Sequence, residues 1–483
     1  MDMKDDGAVV TRKMEISGLV QGVGFRPFIH RLALAHQLNG LVENHSSGVH
    51  IHVSGPVTSI EQFRLAILSG APPASDIEQI QVYDAPLESF TEFSINKSKE
   101  GSDTVTEISP DIAVCDECLS DMQVQEQRID YPFVNCTNCG PRFSIIRKLP
   151  YDRPNTSMDL FNMCPECRKE YDNIKDRRFH AQPVACKHCG PGMQLYEDGV
   201  LHSSMDTLLE KISDGLKLGK VYMIKGMGGF HLMCDAFNEK AIAKLREIKK
   251  RDGKPFALMF RSIEEAEKYV EIDENEKVVL SSWQRPIVLL KKKQSTPSGI
   301  ADGISRLGIM LPYMPFHYLL FREIDTPALV LTSGNFSDEP ILICNTRTHD
   351  LFENFVDGII TYNREIINRN DDSVCTVING KPQIIRRSRG YAPSPIRTHL
   401  QVEGIFAAGA ELVSSFCMGK GKNAMMSQYI GDLKNLETLE FYEEVYKLYS
   451  NMFRFKPELI VHDLHPDYLS TKFSIELSER LGG

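Results

Sequence analysis

Apolar positions fall at strand spacing over residues 14–20 and at helical spacing over residues 28–38, with Gln21-Gly22-Val23-Gly24-Phe25-Arg26 between them. The pattern predicts a strand, a glycine loop and a helix start. From residue 204 to 395, strand-like and helix-like runs alternate. Val221-Tyr222-Met223-Ile224-Lys225-Gly226 reads as a buried strand entering Gly226-Met227-Gly228-Gly229, residues 244–251 as a helix with a basic end, residues 329–335 as a strand ending in small polar residues, and residues 383–385 as another strand. After residue 400 the pattern predicts a strand and glycine turn at 404–411, a helix at 437–455 and a strand with a polar exit at 457–468. Polar or Pro-rich stretches at 99–110, 190–202 and 391–400 predict domain boundaries.

Composition narrows this picture little. The 483 residues are 42% hydrophobic and 25% charged, as in globular chains, and the length suits three or four domains. No run of 18 apolar residues occurs, so no membrane span is expected. The net charge of −10 argues against nucleic-acid binding over the whole surface, while a local basic groove stays open.

Cysteine spacing changes the picture most. Four Cys-x-x-Cys pairs occur, Cys115/Cys118, Cys136/Cys139, Cys164/Cys167 and Cys186/Cys189, with 17 and 18 residues between the pairs of each half. Such spacing lets two loops converge four thiolates on one tetrahedral Zn²⁺. Cys115 to Cys164 and Cys118 to Cys167 are 49 apart, and Cys136 to Cys186 and Cys139 to Cys189 are 50 apart, so a duplicated unit with pairing inside each copy is expected. No N-terminal signal peptide is evident and the other cysteines are scattered, which points away from disulfides and towards a reducing cytoplasm. Four thiolates close the coordination sphere, so both zincs should be structural.

The N-terminal loop suits an anion. Two glycines ahead of a helix N-terminus let N–H groups turn inward, and Arg26 can add a bidentate charge contact. The segment from Ile16 to Arg26, followed by Gly40-Leu41-Val42-Glu43-Asn44 and Gly48-Val49-His50-Ile51-His52-Val53, resembles acylphosphatase. That resemblance implies an α/β sandwich over residues 1–100, with βαββαβ strands in one antiparallel sheet. It further implies that Arg26 binds an acyl phosphate while Asn44 orients the attacking water.

Residues 203–395 resemble the YrdC-like domain of threonylcarbamoyl-adenylate synthases, through Lys225-Gly226, Lys249-x-Arg251 and Ser333-x-Asn335. The resemblance implies ATP binding with Mg²⁺ and adenylation of a carboxyl or carbamate group. Lys225, Lys249 and Arg251 would contact phosphate or carboxylate, Ser333 and Asn335 would line the groove, and Ser373 and Arg386 are further candidates. Cations there would offset the repulsion between an incoming anion and a polyphosphate. Asp371 and Asp372 either help hold the metal or form a solvated turn.

Residues 400–483 resemble the start of an actin-like (ASKHA) carbamoyltransferase domain and are too few to complete it, so a C-terminally truncated chain is expected. His462, Asp463 and His465 read as turn formers rather than metal ligands. The full order, multidomain α+β and α/β with two four-cysteine zinc units at 109–192, resembles the hydrogenase-maturation carbamoyltransferase family. It implies hydrolysis of carbamoyl phosphate, adenylation of the carbamate with release of pyrophosphate, and transfer towards a cysteine of a partner maturation protein for cyanide-ligand synthesis. A tRNA-modifying threonylcarbamoyl-adenylate synthase is the alternative.

Overall fold

The computed structural model of the chain describes residues 9–45, 48–96, 107–250 and 253–482. Its first unit contains β1 (Val9–Leu19), α1 (Phe25–Ala35), β2 (Asn39–His45), β3 (Gly48–Pro56), α2 (Val57–Gly70), β4 (Asp76–Ala85) and β5 (Phe93–Ile95), in sheet order β4-β1-β3-β2-β5. Met14, Ile16, Val49, Ile51 and Val53 are buried at period two along their strands. Ile29 and Ala33 of α1 and Phe63 and Ile67 of α2 are buried at helical spacing in the same core, the two periodicities that put apolar side chains on one face. The sheet departs from the expected all-antiparallel form in one pairing, since β2 and β5 run parallel. The chain reaches β5 after β4 at the opposite edge, by a crossover rather than a hairpin, and a crossover permits parallel pairing.

Helix α1 begins at Phe25, three residues before the apolar periodicity, because Gly24 adopts a left-handed N-cap with φ 76°. Arg26 thereby falls in the first helical turn. In the cysteine-rich segment, α3 (Asp116–Val124) and α4 (Pro165–Asp172) each start directly after the first cysteine of a pair.

An eleven-stranded mixed sheet follows, with β6 (Met193–Glu197), β7 (Val200–His202), β8 (Tyr222–Lys225), β9 (Phe230–Asp235), β10 (Leu258–Phe260), β11 (Ile287–Lys291), β12 (Arg306–Met310), β13 (Ala328–Ser333), β14 (Gly358–Tyr362), β15 (Val374–Ile378) and β16 (Lys381–Arg386). Its order is β16-β15-β11-β12-β10-β13-β9-β8-β14-β6-β7. Residues 190–202, read from sequence as a boundary, supply the edge hairpin β6–β7; Met193 and Leu195 are buried and hold it to the sheet. Helices α5 (Met205–Lys217) and α6 (Glu239–Lys249) belong to this unit.

The remaining strands, Ile396–Arg397, Ile405–Ala407, Cys417–Lys420, Asn423–Met426 and Leu459–Val461, form a third sheet with helices Leu436–Met452 and Leu469–Leu481. Phe406, Phe416, Tyr442 and Tyr449 build its core. Edge-to-face ring pairs join the units: Phe133 to Tyr362 at 5.0 Å and Phe143 to Tyr449 at 6.2 Å. No helix among the described residues is long and apolar enough to cross a membrane.

Candidate active sites and metal centres

Gly22 and Gly24 both sit at positive φ, 73° and 76°. A Cβ on Gly24 would lie 2.6 Å from Asn138 Oδ1 and 3.1 Å from Thr137 Cβ, so a larger residue would push those side chains aside at a left-handed backbone that favours glycine. The N–H groups of Gly22, Val23, Gly24, Phe25 and Arg26 find no acceptor among the described residues. Five successive donors at a helix N-terminus with no protein acceptor form an anion cradle.

Arg26 and Asn44 line the narrow cleft beside this loop and are 9% and 3% exposed, so little water competes for them. Asn44 Oδ1 is buried and accepts no hydrogen bond among the described residues. Burial lowers the Arg26 pKa, partly offset by Asp152, whose carboxylate stands 3.6 Å from the guanidinium. The cysteine-rich segment supplies the other wall, through Thr137, Arg142, Tyr151, His180 and Gln182. Arg142 is 2% exposed. Its guanidinium donates to the carbonyls of Gly22, Pro141, Cys136 and Thr137, the last three at 2.8, 3.2 and 3.0 Å. One arginine thus ties the anion loop to the first cysteine knuckle.

The eight cysteines converge as two sets, Cys115, Cys118, Cys136 and Cys139, and Cys164, Cys167, Cys186 and Cys189. Sγ–Sγ separations are 3.5 to 3.8 Å in the first set and 3.7 to 3.8 Å in the second. Metal–sulfur bonds of about 2.3 Å in a tetrahedron require edges of roughly 3.8 Å, so both sets fit zinc closed by four thiolates. Bound there, zinc would supply cross-linking and no open coordination position.

The copies also grip each other reciprocally. Arg128 of the first unit donates to Cys167 Sγ at 3.7 Å and pairs with Glu170 at 2.5 Å. Arg177 of the second donates to Cys118 Sγ at 3.2 Å and pairs with Asp121. Each partner is the other's counterpart 49 residues on, which is the pattern of a two-fold interface inside one chain.

The second cleft is a cavity of about 420 Å³ between the large sheet and the third. Lys249, at the end of α6, donates from Nζ to Ser333 O at 3.0 Å and to Asn335 O and Oδ1, each at 2.7 Å. Ser333 Oγ donates to Asn335 Oδ1 at 2.8 Å. Arg386 lines the same cavity, 3.2 Å from Asp371, with its guanidinium 5.2 Å from the Tyr429 ring centre. Lys249, Ser333, Asn335 and Arg386 are therefore brought together, and Arg251 lies outside the described residues.

Two candidates lie elsewhere. Lys225 is not among the cavity residues; its ammonium donates to Tyr362 O at 3.2 Å and Arg364 O at 2.9 Å, and burial with the Arg364 charge lowers its pKa to about 7. Ser373 is fully buried, donating to Arg389 O and accepting from Ser388 N, which makes it a structural link.

Asp371 and Asp372 form no solvated turn. Asp372 is 3% exposed, accepts Arg389 Nε at 2.7 Å and faces His231 Nε2 at 3.1 Å. Burial opposes its charge, but Arg389 and His231 outweigh burial and hold the carboxyl below the usual range. His231, Asp371 and Asp372 cluster within metal-ligand reach. With each carboxylate already on a guanidinium, this set fits magnesium poorly. His462, Asp463 and His465 are exposed and bond locally, His462 Nδ1 to Asp463 O and His465 N to Asp463 Oδ1, as turn formers do.

Sequence reasoning missed Arg142, His180, His231 and Arg389. Arg142 directly follows the first Cys-Gly-Pro turn and the other three stand in no recognisable motif; each matters through at least one contact at long sequence separation.

Comparison with known proteins matches an acylphosphatase model over residues 12–95 and a HypF finger model over 114–146 and 163–196. A Sua5/YciO/YrdC model, described as telomere recombination, matches 214–388, and a HypF Kae1-like domain model matches 401–481. A carbamoyltransferase HypF of Rhodobacter capsulatus is 37% identical over 473 residues, covering 97% of this chain and 63% of that protein. One from Synechocystis sp. is 40% identical over 469 residues, covering 96% and 61%. The crystal structure of a full-length HypF in a phosphate- and nucleotide-bound form superposes with a TM-score of 0.93 at 45% identity, covering 98% of this chain and 62% of that one. The chain thus spans about three fifths of the length of these relatives.

Proposed function

The chain belongs to the HypF carbamoyltransferase family, and from that premise we propose that it hydrolyses carbamoyl phosphate at Arg26 and Asn44 and adenylates the resulting carbamate in the cavity around Lys249. The observation that carries the first step is the run of free N–H donors from Gly22 to Arg26, facing a buried cleft that also holds the unsatisfied Asn44 Oδ1. The donors and Arg26 take the phosphoryl oxygens, and Asn44 Oδ1 accepts a hydrogen from water and aims it at phosphorus. The P–O bond to the carbamoyl group breaks and carbamate leaves with the bonding pair. An acyl phosphate has a good leaving group, so positioning and charge neutralisation suffice.

In the second step a carbamate oxygen attacks the α-phosphorus of ATP and pyrophosphate leaves, giving carbamoyl adenylate. Lys249 and Arg386, with Arg251, offset the repulsion between the two anions, while Ser333 and Asn335 hold the wall. Magnesium would arrive on the nucleotide phosphates, held by them and by water. Enclosure of the carbamate between the two sites would protect it from water. In the complete protein the carbamoyl group would pass to a cysteine of a hydrogenase-maturation partner, in a reducing cytoplasm that keeps the zinc thiolates intact.

Phosphate release and ATP–pyrophosphate exchange test this reading together. Carbamoyl phosphate should stimulate exchange, and Arg26→Ala should lower hydrolysis by on the order of 100-fold or more with two zincs retained. Exchange driven by threonine and bicarbonate instead would favour the threonylcarbamoyl-adenylate alternative, and normal hydrolysis by Arg26→Ala would remove the first assignment.

A further inference from the structure

His180 belongs to the second cysteine unit yet lines the cleft that contains Arg26 and Asn44. Its backbone is left-handed, with φ 56°, a conformation uncommon for a residue other than glycine. Such strain is kept where surrounding contacts demand it. Here the His180 N–H donates to Tyr171 O at 3.0 Å, its carbonyl accepts Gln182 Nε2 at 2.8 Å, and its ring stacks on Tyr171 with centroids 5.1 Å apart. Phe179 closes the other side edge-on at 4.4 Å. The ring is therefore held by packing alone: neither nitrogen has a hydrogen-bond partner among the described residues. An imidazole fixed in place, with both polar atoms unused, in a cleft already equipped for phosphate, is placed for the other half of the substrate.

We propose that His180 is a specificity residue of the acyl-phosphate site, hydrogen-bonding the carbamoyl amide and so favouring carbamoyl phosphate over acyl phosphates with an apolar acyl group. The inference rests on the assignment of Arg26 and Asn44 to acyl-phosphate hydrolysis. The acceptor nitrogen of a neutral imidazole can take an N–H of the carbamoyl amide, whereas an acetyl methyl offers no donor. Burial, followed by the charge of Arg26, holds the imidazole pKa at about 4, so the ring is neutral at pH 7. Aspartates 152 and 172 act in the opposite direction. The second cysteine unit then has a task beyond bracing, because it brings a selective group to a cleft whose anion loop lies about 150 residues earlier.

The test measures phosphate release from carbamoyl phosphate and from acetyl phosphate with the full chain. His180→Gly removes the ring and tolerates the left-handed backbone, and His180→Asn keeps a donor and an acceptor in a residue that also accepts that conformation. We expect the ratio of kcat/KM for carbamoyl over acetyl phosphate to fall about tenfold in His180→Gly, corresponding to one lost hydrogen bond. Acetyl phosphate turnover should fall less than carbamoyl phosphate turnover, zinc content should hold, and His180→Asn should recover part of the ratio. Equal losses on both substrates, or an unchanged ratio, would overturn the proposal. Arg26→Ala, run alongside, should lose both activities; its failure to do so would remove the underlying site assignment instead, so the two failures are distinguishable.

Discussion

Arg142 places a full positive charge among carbonyls rather than carboxylates, one of them Gly22 O in the anion loop. The planar fork reaches several acceptors at once, which a lysine ammonium on a flexible stem cannot reproduce. Arg142→Lys should therefore destabilise the chain by about 2–3 kcal/mol, since bonds from a charged donor are lost and buried carbonyls go unsatisfied. It should also slow carbamoyl phosphate hydrolysis roughly tenfold by loosening the loop; denaturant unfolding and phosphate release check the two effects. Lys249 and Lys225 show how far residue-level reading reaches. Both stand in matching family motifs, but Lys249 ends in the cavity with Ser333 and Asn335, whereas Lys225 points to the Tyr362 and Arg364 carbonyls. A side chain's direction depends on what packs around its strand, and local spacing does not carry that.

At the scale of elements, the duplicated cysteine units hold each other through swapped arginines. Arg128 has no exposed side-chain surface and Glu170 only 15%, so their pair lies where removing one partner strands a charge. Glu170→Gln should cost about 3 kcal/mol. Because the same arginine reaches Cys167 Sγ, metal release from the second site should also quicken, and Asp121→Asn should do likewise at the first. Chelator-driven zinc release with a thiol-independent metal indicator measures both, and independent behaviour of the two sites would contradict the reciprocal grip. The tetrahedral sets themselves were legible from spacing, since four Cys-x-x-Cys pairs leave few other arrangements. The swap was not, because Arg128 and Arg177 have no meaning until the copies face one another.

Across the whole molecule, the third sheet completes the second cavity. Tyr429, Ile430, Asp432 and Phe441 line it, Arg386 lies over Tyr429, and Arg369 lies 5.0 Å from the Phe441 ring centre. Asn435 Nδ2 donates to Asp338 O at 2.8 Å and Gln428 Nε2 to Arg369 O at 3.0 Å, tying the units together. Tyr429→Ala should weaken ATP binding about threefold to tenfold by freeing Arg386, the range expected for one cation–π contact. Calorimetric titration reads this, and a melting curve separates it from unfolding.

The sequence alone determined the cysteine sets and the glycine loop, since both are written in spacing along a continuous stretch; resemblance to known motifs supplied the family and the order of the first unit as far as β4, without the fifth strand. Tertiary structure alone decided that residues 190–202 extend a sheet, that β5 runs parallel to β2, and that Asp371 and Asp372 are committed to arginines. It alone decided, too, that the cleft holding Arg26 and Asn44 has a second wall made of Arg142, Tyr151 and His180. Those outcomes depend on groups distant in sequence being buried against one another, where an unsatisfied charge or carbonyl is costly enough to dictate the partner.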